Sequence, residues 1–254
     1  MKIIPPAGYE QVVPLQKHHR VALPASGAAP AAFARLHTIP VGITEFGPAC
    51  RDYPVVFFHD DASDSFNAVA ALGLQSRQNL FMLDDGRWDR RVYLPAYVRR
   101  YPFCMSNDTA DGEGGMEPIV CVESGAIQRG GEALYDKSGQ PLAHWTVLER
   151  LIFECETDLA RSDELCKLLE EMELLEPFTM KAEVDGFTMQ LEGMHRVAQG
   201  KLESLHEDSL RRLFEAGMMD KIYAHLLSLD NFRRLLNRRS FFAIKPPSDA
   251  RELN

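Results

Sequence analysis

The chain lacks the short motifs that mark several common enzyme sites. Its 254 residues contain no GxGxxG, no GxxxxGK[ST], no GxSxG and no HExxH pattern. Such patterns supply a glycine-rich phosphate cradle, a serine nucleophile or a pair of zinc ligands. Their absence disfavours nucleotide binding through a glycine-rich loop. We predict no cofactor, and we favour a binding role over an enzymatic one.

Long apolar runs are also missing. No run approaches the roughly 18 apolar residues that a membrane-spanning helix needs. The first 20 residues, MKIIPPAGYEQVVPLQKHHR, contain no apolar core of the length found in signal peptides. We therefore expect a cytoplasmic protein without an integral membrane segment, unless export uses a signal of another kind.

Cysteine is sparse and widely spaced. Five cysteines occur, and no two of them form CxxC or combine with histidine at zinc-finger spacing. Most stand among apolar residues, so we interpret them as reduced thiols packed in a core.

Positive charge is scarce overall but locally concentrated. The net charge is −9. Residues 1–110 carry 11 Lys and Arg against 10 Asp and Glu, whereas residues 111–254 carry 17 against 27, which gives +1 and −10. Proteins that neutralise nucleic-acid phosphates usually have a basic face. The chain as a whole has none, so we do not expect a nucleic-acid partner.

The N-terminal half has the pattern of a β protein. YPVVFFH at 53–59 is a short run of β-branched and aromatic residues typical of a central strand. After residue 141 the period becomes helical: Leu148, Ile152, Cys155 and Leu159 share one face, as in ordinary core packing. Two further helices are predicted over 208–219 and 220–239, and an Asp-Gly pair at 185–186 indicates a hairpin before them.

These patterns predict an α+β fold, with a β-rich, mainly antiparallel N-terminal region followed by a mostly helical C-terminal region containing one hairpin. Strands and helices do not alternate, so a doubly wound parallel sheet is not expected. We interpret residues 1–35 as a Pro/Ala-rich arm and 238–254 as a tail. The single domain between them, 36–237, has a β-rich part, 36–140, and a mainly helical part, 141–237.

One short stretch could hold a metal. In FFHDDASD, His59 and Asp61 form an H-x-D pair after a predicted strand, which is two-thirds of the 2-His-1-carboxylate set of non-haem iron oxygenases. The second histidine would be His144, His195 or His225, and the sequence does not choose among them. The alternative interpretation is a polar loop that follows a buried strand, so we predict no metal and keep the oxygenase as an alternative.

The most unusual local chemistry is an arginine-rich segment. Five arginines occur within fourteen residues, at positions 87, 90, 91, 99 and 100. Guanidinium groups bind carboxylate or phosphate and stack on aromatic rings. The candidate ligand-binding residues are therefore Arg99 and Arg100, with Tyr97, Tyr101 and Trp88 as walls. Arginines that attach a helical region to a sheet would give the same pattern, so a structural role stays open.

Several segments together resemble the SapC family of bacterial proteins. They are YPVVF (53–57), RQNLF (77–81), GRWDRRVYLPAYVRRYPF (86–103), GEALYDKSG (131–139), LLEP (174–177) and IYAHLLSLDNF (222–232). The resemblance covers roughly residues 36–237. It implies an association with a bacterial surface layer, and genes near those of flavin-dependent halogenase-like proteins and TonB-dependent receptors. It implies no defined reaction and carries no catalytic residues over to this chain.

The sequence thus leaves three alternative hypotheses for the function. The first is an accessory protein that binds a protein partner, a peptide or a small anionic ligand around Arg99 and Arg100. The second is a metal-dependent oxygenase that uses His59, Asp61 and a further ligand such as His144. The third, implied by the resemblance, is a structural protein associated with a surface layer.

Overall fold

The structure, a computed structural model, describes residues 3–106, 118–184 and 187–244. Its antiparallel sheets lie mainly in the N-terminal part and its helices toward the C-terminus, which confirms the predicted α+β class. The strands are β1 Val12–Pro14, β2 Arg20–Val21, β3 Thr38–Pro40, β4 Val55–Asp60, β5 Ser65–Ala71, β6 Phe103–Ser106, β7 Ile119–Glu123, β8 Glu132–Ala133, β9 Leu175–Val184 and β10 Phe187–Val197.

The strands form three sheets. The largest has the order β3-β5-β4-β10-β9, and the two smaller ones have the orders β1-β7-β6 and β2-β8. All pairings between these described strands are antiparallel. The predicted hairpin is confirmed as β9 and β10, while its Asp-Gly turn at 185–186 lies outside the described residues. The largest sheet therefore joins strands from both halves of the sequence.

The helices cover this framework. They are α1 Phe46–Ala49, α2 Ala96–Arg99, α3 Ala143–Glu171, α4 Gln199–Glu203, α5 Glu207–Glu215, α6 Met219–Ser228 and α7 Asn231–Ile244. The apolar face predicted for α3 is confirmed, because Ile152 and Cys155 are buried, and the helix packs against β5 and β6. Within the described ranges, no helix combines the length and the apolar character needed to cross a membrane.

The last predicted helix, 220–239, is wrong in one respect, because the structure divides it into α6 and α7 at Leu229 and Asp230. The reason is tertiary. The side-chain amide of Asn231 donates to the carbonyl oxygens of Cys50 (2.7 Å) and Tyr53 (3.1 Å), which come just before β4. The start of α7 is therefore anchored by a distant segment, which the helical period of the sequence cannot indicate.

The segment before residue 36 packs against the rest of the molecule. Phe33 and Val21 are fully buried, and β1 pairs with β7. At the other end, α7 continues to Ile244. The proposed division into an arm, a domain and a tail stays a prediction.

Candidate functional site

The arginine-rich segment folds into a short helix that points its two adjacent arginines in different directions. Pro95 caps α2, and the carboxylate of Glu45 accepts hydrogen bonds from the Ala96 amide (2.6 Å) and the Tyr93 hydroxyl (2.8 Å). Because consecutive helical residues are about 100° apart, Arg99 and Arg100 cannot face the same way.

Arg100 points inward and is only 3% exposed. Its guanidinium pairs with Glu156 on α3, lies 3.8 Å from the Cys155 sulfur and stacks on the Tyr97 ring at 4.6 Å. Its Nε has no hydrogen-bond partner. Arg100 thus joins α2 to α3 beneath the surface.

Arg99 points outward, with 41% of its side chain exposed. Its Nη2 lies 3.3 Å from the Tyr93 hydroxyl and 3.9 Å from the Glu45 carboxylate, which is almost fully buried. The guanidinium is held in place by these groups and remains accessible to solvent.

The three predicted aromatic walls lie mostly in the core. Trp88 is 1% exposed and donates from Nε1 to the Tyr53 hydroxyl, and Tyr97 is 2% exposed and donates to the Ala7 carbonyl. Tyr101 is half-buried, with its ring 5.2 Å from that of Tyr9. The five-residue ligand set stays a prediction, and among its members Arg99 is the one classed as exposed.

Sequence reasoning did not foresee that one buried carboxylate would hold arginines from two distant segments. The side chain of Asp89, 3% exposed, accepts from both Nε and Nη2 of Arg91 (2.9 Å each) and from Nη1 of Arg238 on α7 (3.0 Å). The Arg91 side chain hydrogen bond is the main reason that the pKa of Asp89 lies well below its ordinary value. Arg238 also covers the Phe81 ring, 4.3 Å from its centroid.

A second arginine of α7, Arg234, is connected to Arg99 through Asp52 and Tyr93. Arg234 lies 3.8 Å from the carboxylate of Asp52 and donates to the Arg51 carbonyl. Asp52 in turn accepts from the Tyr93 amide at 2.9 Å, and Tyr93 contacts Arg99. We call the surface formed by Arg91, Arg99, Arg234 and Arg238 the arginine strip.

Three of the four arginines of the strip are more exposed than the acids that they contact. The exposed fractions of the Glu45, Asp89 and Asp52 side chains are 5%, 3% and 21%, those of Arg91, Arg234 and Arg99 are 82%, 62% and 41%, and that of Arg238 is 22%. A carboxylate or phosphate that approached from solvent would therefore meet guanidinium groups first. The run RRLLNRR at 233–239 carried the missing signal, but nothing in the sequence connects it to residue 89.

The metal alternative receives no geometric support. Both ring nitrogens of His59 face carboxylates, since Nδ1 is 3.0 Å from Asp61 and Nε2 is 3.3 Å from Asp64. His144 instead lies 3.8 Å from Glu132. In the part of the chain that the structure describes, no three His, Cys, Asp or Glu side chains form a group that could hold a metal.

The fold and this surface define an α+β protein in which buried carboxylates hold arginines at the surface. A family model described as SapC matches residues 15–235, most of the chain. The chain therefore belongs to the SapC family, as its sequence motifs predict. No curated protein and no solved structure matches it significantly.

Proposed function

We propose that the chain is an accessory binding protein whose arginine strip recognises an anionic group on a peptide or protein partner. The observation that carries the proposal is the placement of Asp89: one buried carboxylate holds both the exposed Arg91 and the partly buried Arg238, so two positive charges meet one negative charge. Guanidinium groups that are already oriented lose little side-chain entropy when an anion binds.

The acidity of the whole chain makes the proposal testable. A protein of net charge −9 is repelled by a polyanion unless a local basic surface attracts it. Heparin serves as the probe. At low salt we expect the protein to be retained on immobilised heparin and to elute as rising salt screens the attraction.

Two double variants with the same loss of charge distinguish the effect of the arginine strip on heparin retention from the effect of net charge. Arg91→Gln with Arg234→Gln removes two strip arginines whose side chains are 82% and 62% exposed. The matched control, Arg150→Gln with Arg211→Gln, removes two arginines that are 79% and 63% exposed, on α3 and α5. Retention should be lost in the first double variant and kept in the second. Equal elution of both, or no retention of the wild-type protein, would contradict the proposal.

A further inference from the structure

Helix α7 follows α6 after a turn of two residues. Hydrogen bonds of the i to i+3 type run across the turn, from the Leu229 amide to Leu226, from Phe232 to Leu229 and from Arg233 to Asp230. Leu229 itself has helical dihedral angles. The two helices are therefore connected by a hydrogen-bonded turn, without a loop that would separate their surfaces.

The α6 end of this surface is apolar. Tyr223 and Leu227 are 49% and 70% exposed and follow Met219 at four-residue spacing, so they form one stripe along the helix. On α5, Leu210 and Phe214 are 41% and 75% exposed at the same spacing. Leu210, Phe214 and Met219 line one groove of about 350 Å³. We call these five residues the apolar groove.

Of these five side chains, Met219 is partly buried against the core, and the other four are exposed. The buried face of α5 is provided by Leu213, and that of α6 by Ile222, Ala224, His225 and Ser228. Among the described residues, four of the seven large hydrophobic side chains recorded as exposed belong to the groove. Clustered apolar exposure of this kind marks an interaction site.

We propose that the apolar groove and the arginine strip together bind one amphipathic helix of another protein, a helix that carries apolar side chains in one half and carboxylates in the other. This inference rests on the proposed function and adds the partner's class. Apolar side chains at i and i+4 would enter the groove, as in helix-in-groove recognition. The carboxylates that follow would meet Arg234 of the strip and its exposed neighbour Arg233, at the start of α7.

An anionic membrane surface fits less well. Lipid-binding helices place lysine and arginine beside their apolar face. Here α5 and α6 carry four carboxylates, those of Glu207, Asp208, Glu215 and Asp220, against three cations, Arg211, Arg212 and Lys221. The helices of the groove therefore have no net positive charge to attract anionic headgroups. The groove is also concave between two helices, which suits a side chain better than a flat lipid surface.

The test uses the full chain and synthetic peptides of about 15 residues, near the shortest length that forms a helix in water. The first peptide carries leucines at i and i+4 in one half and glutamates in the other. In the second peptide each leucine of the first is replaced by serine, and in the third each glutamate is replaced by glutamine. Fluorescence anisotropy gives Kd, and amide chemical shifts locate the contact. We expect the first peptide to perturb both α5–α6 and the strip, and to bind at least tenfold more tightly than the other two.

Protein variants provide the second arm. Leu227→Ser should weaken the binding of the first peptide. The matched control, Val147→Ser on α3, should not, although the side chains of Val147 and Leu227 are both 70% exposed. Equal binding of the leucine and serine peptides would overturn the inference while heparin retention still supported the proposed function. Tighter binding to anionic phospholipid vesicles, or a Leu227-dependent dimer in sedimentation equilibrium, would also overturn it, in favour of a membrane or a second copy.

Discussion

The guanidinium of Arg238 lies 3.0 Å from the carboxylate of Asp89, although the two residues are 149 positions apart in the chain. The contact ties α7 to the loop that precedes α2, and the same carboxylate orients Arg91 at the surface. One buried acid thus fixes the last helix and shapes the arginine strip.

Asp89→Asn should therefore destabilise the protein and disorder the strip. The amide keeps the size of the side chain but loses the charge, which leaves the partly buried Arg238 without its counterion. We expect a loss of about 2–3 kcal/mol in the free energy of unfolding, measured by urea denaturation. Asp61→Asn, whose side chain is fully exposed, should change the denaturation midpoint little.

Asp89→Asn should also change how the free energy of unfolding depends on pH at low pH. The pKa of Asp89 is lowered in the folded state, mainly by the hydrogen bond from Arg91. The unfolded chain consequently binds the proton first, so the contribution of Asp89 is present above about pH 4 and is lost as pH falls below that value. Asp89→Asn should flatten this part of the profile, and an unchanged slope would contradict the assignment.

The two neighbouring arginines of α2 should behave differently. Arg100→Gln leaves Glu156 without its partner and removes the stacking on Tyr97, so we expect a loss of about 2–4 kcal/mol. Arg99→Gln should leave the thermal midpoint nearly unchanged, because its guanidinium is exposed. Separate thermal melts of the two single variants check this, and equal melting of both would show that burial does not distinguish them.

The element types could be predicted from the sequence because their patterns are local. The period of α3 and the turn signal between β9 and β10 each lie within a few residues of the element they specify. The long-range pairing of β4 with β10 could not be predicted, since it joins residues such as Phe57 and His195, which are 138 positions apart.

The motifs that carry the family resemblance contact one another in the structure, which the sequence could not reveal. His225 of the IYAHLLSLDNF segment bonds to Val55 of YPVVF, and Tyr53 of YPVVF accepts from Trp88 of the arginine-rich segment. The candidate site was predicted in part for the same reason. Composition located the arginines, but the difference between Arg99 and Arg100 depends on α3, more than fifty residues away.

The five thiols should differ in accessibility. The cysteines predicted as core thiols are free, and four are buried, with Cys50 half-buried. Burial raises the pKa of Cys104 and Cys155 to about 12 and that of Cys121 to about 11, which keeps them as thiols. In the native protein, Ellman's reagent should label Cys50 slowly and the others far more slowly, whereas all five should react in denaturant. Fast native labelling of several thiols would contradict the packing. Cys50→Ser should remove the earliest labelling of the native protein, which we assign to Cys50.

Because of His225, the free energy of unfolding should decrease as the pH is lowered from 6.5 to 4. Its Nδ1 donates to the Val55 carbonyl (2.7 Å) and its Nε2 accepts from the Val197 amide (3.1 Å), so the neutral ring connects β4 to the end of β10. Burial lowers its pKa to about 4, below the value of about 6.5 in the unfolded chain.

Between these two values the unfolded state binds the proton and the folded state does not, so acidification favours unfolding, by on the order of 3 kcal/mol over the interval. His225→Gln should be less stable at pH 7 because it breaks the bridge, and its profile should lose this slope. His18→Gln, at an exposed position, should keep it. Chemical denaturation at several pH values measures both profiles, and an imidazole resonance of His225 that titrated near pH 6.5 in the folded protein would refute the assignment.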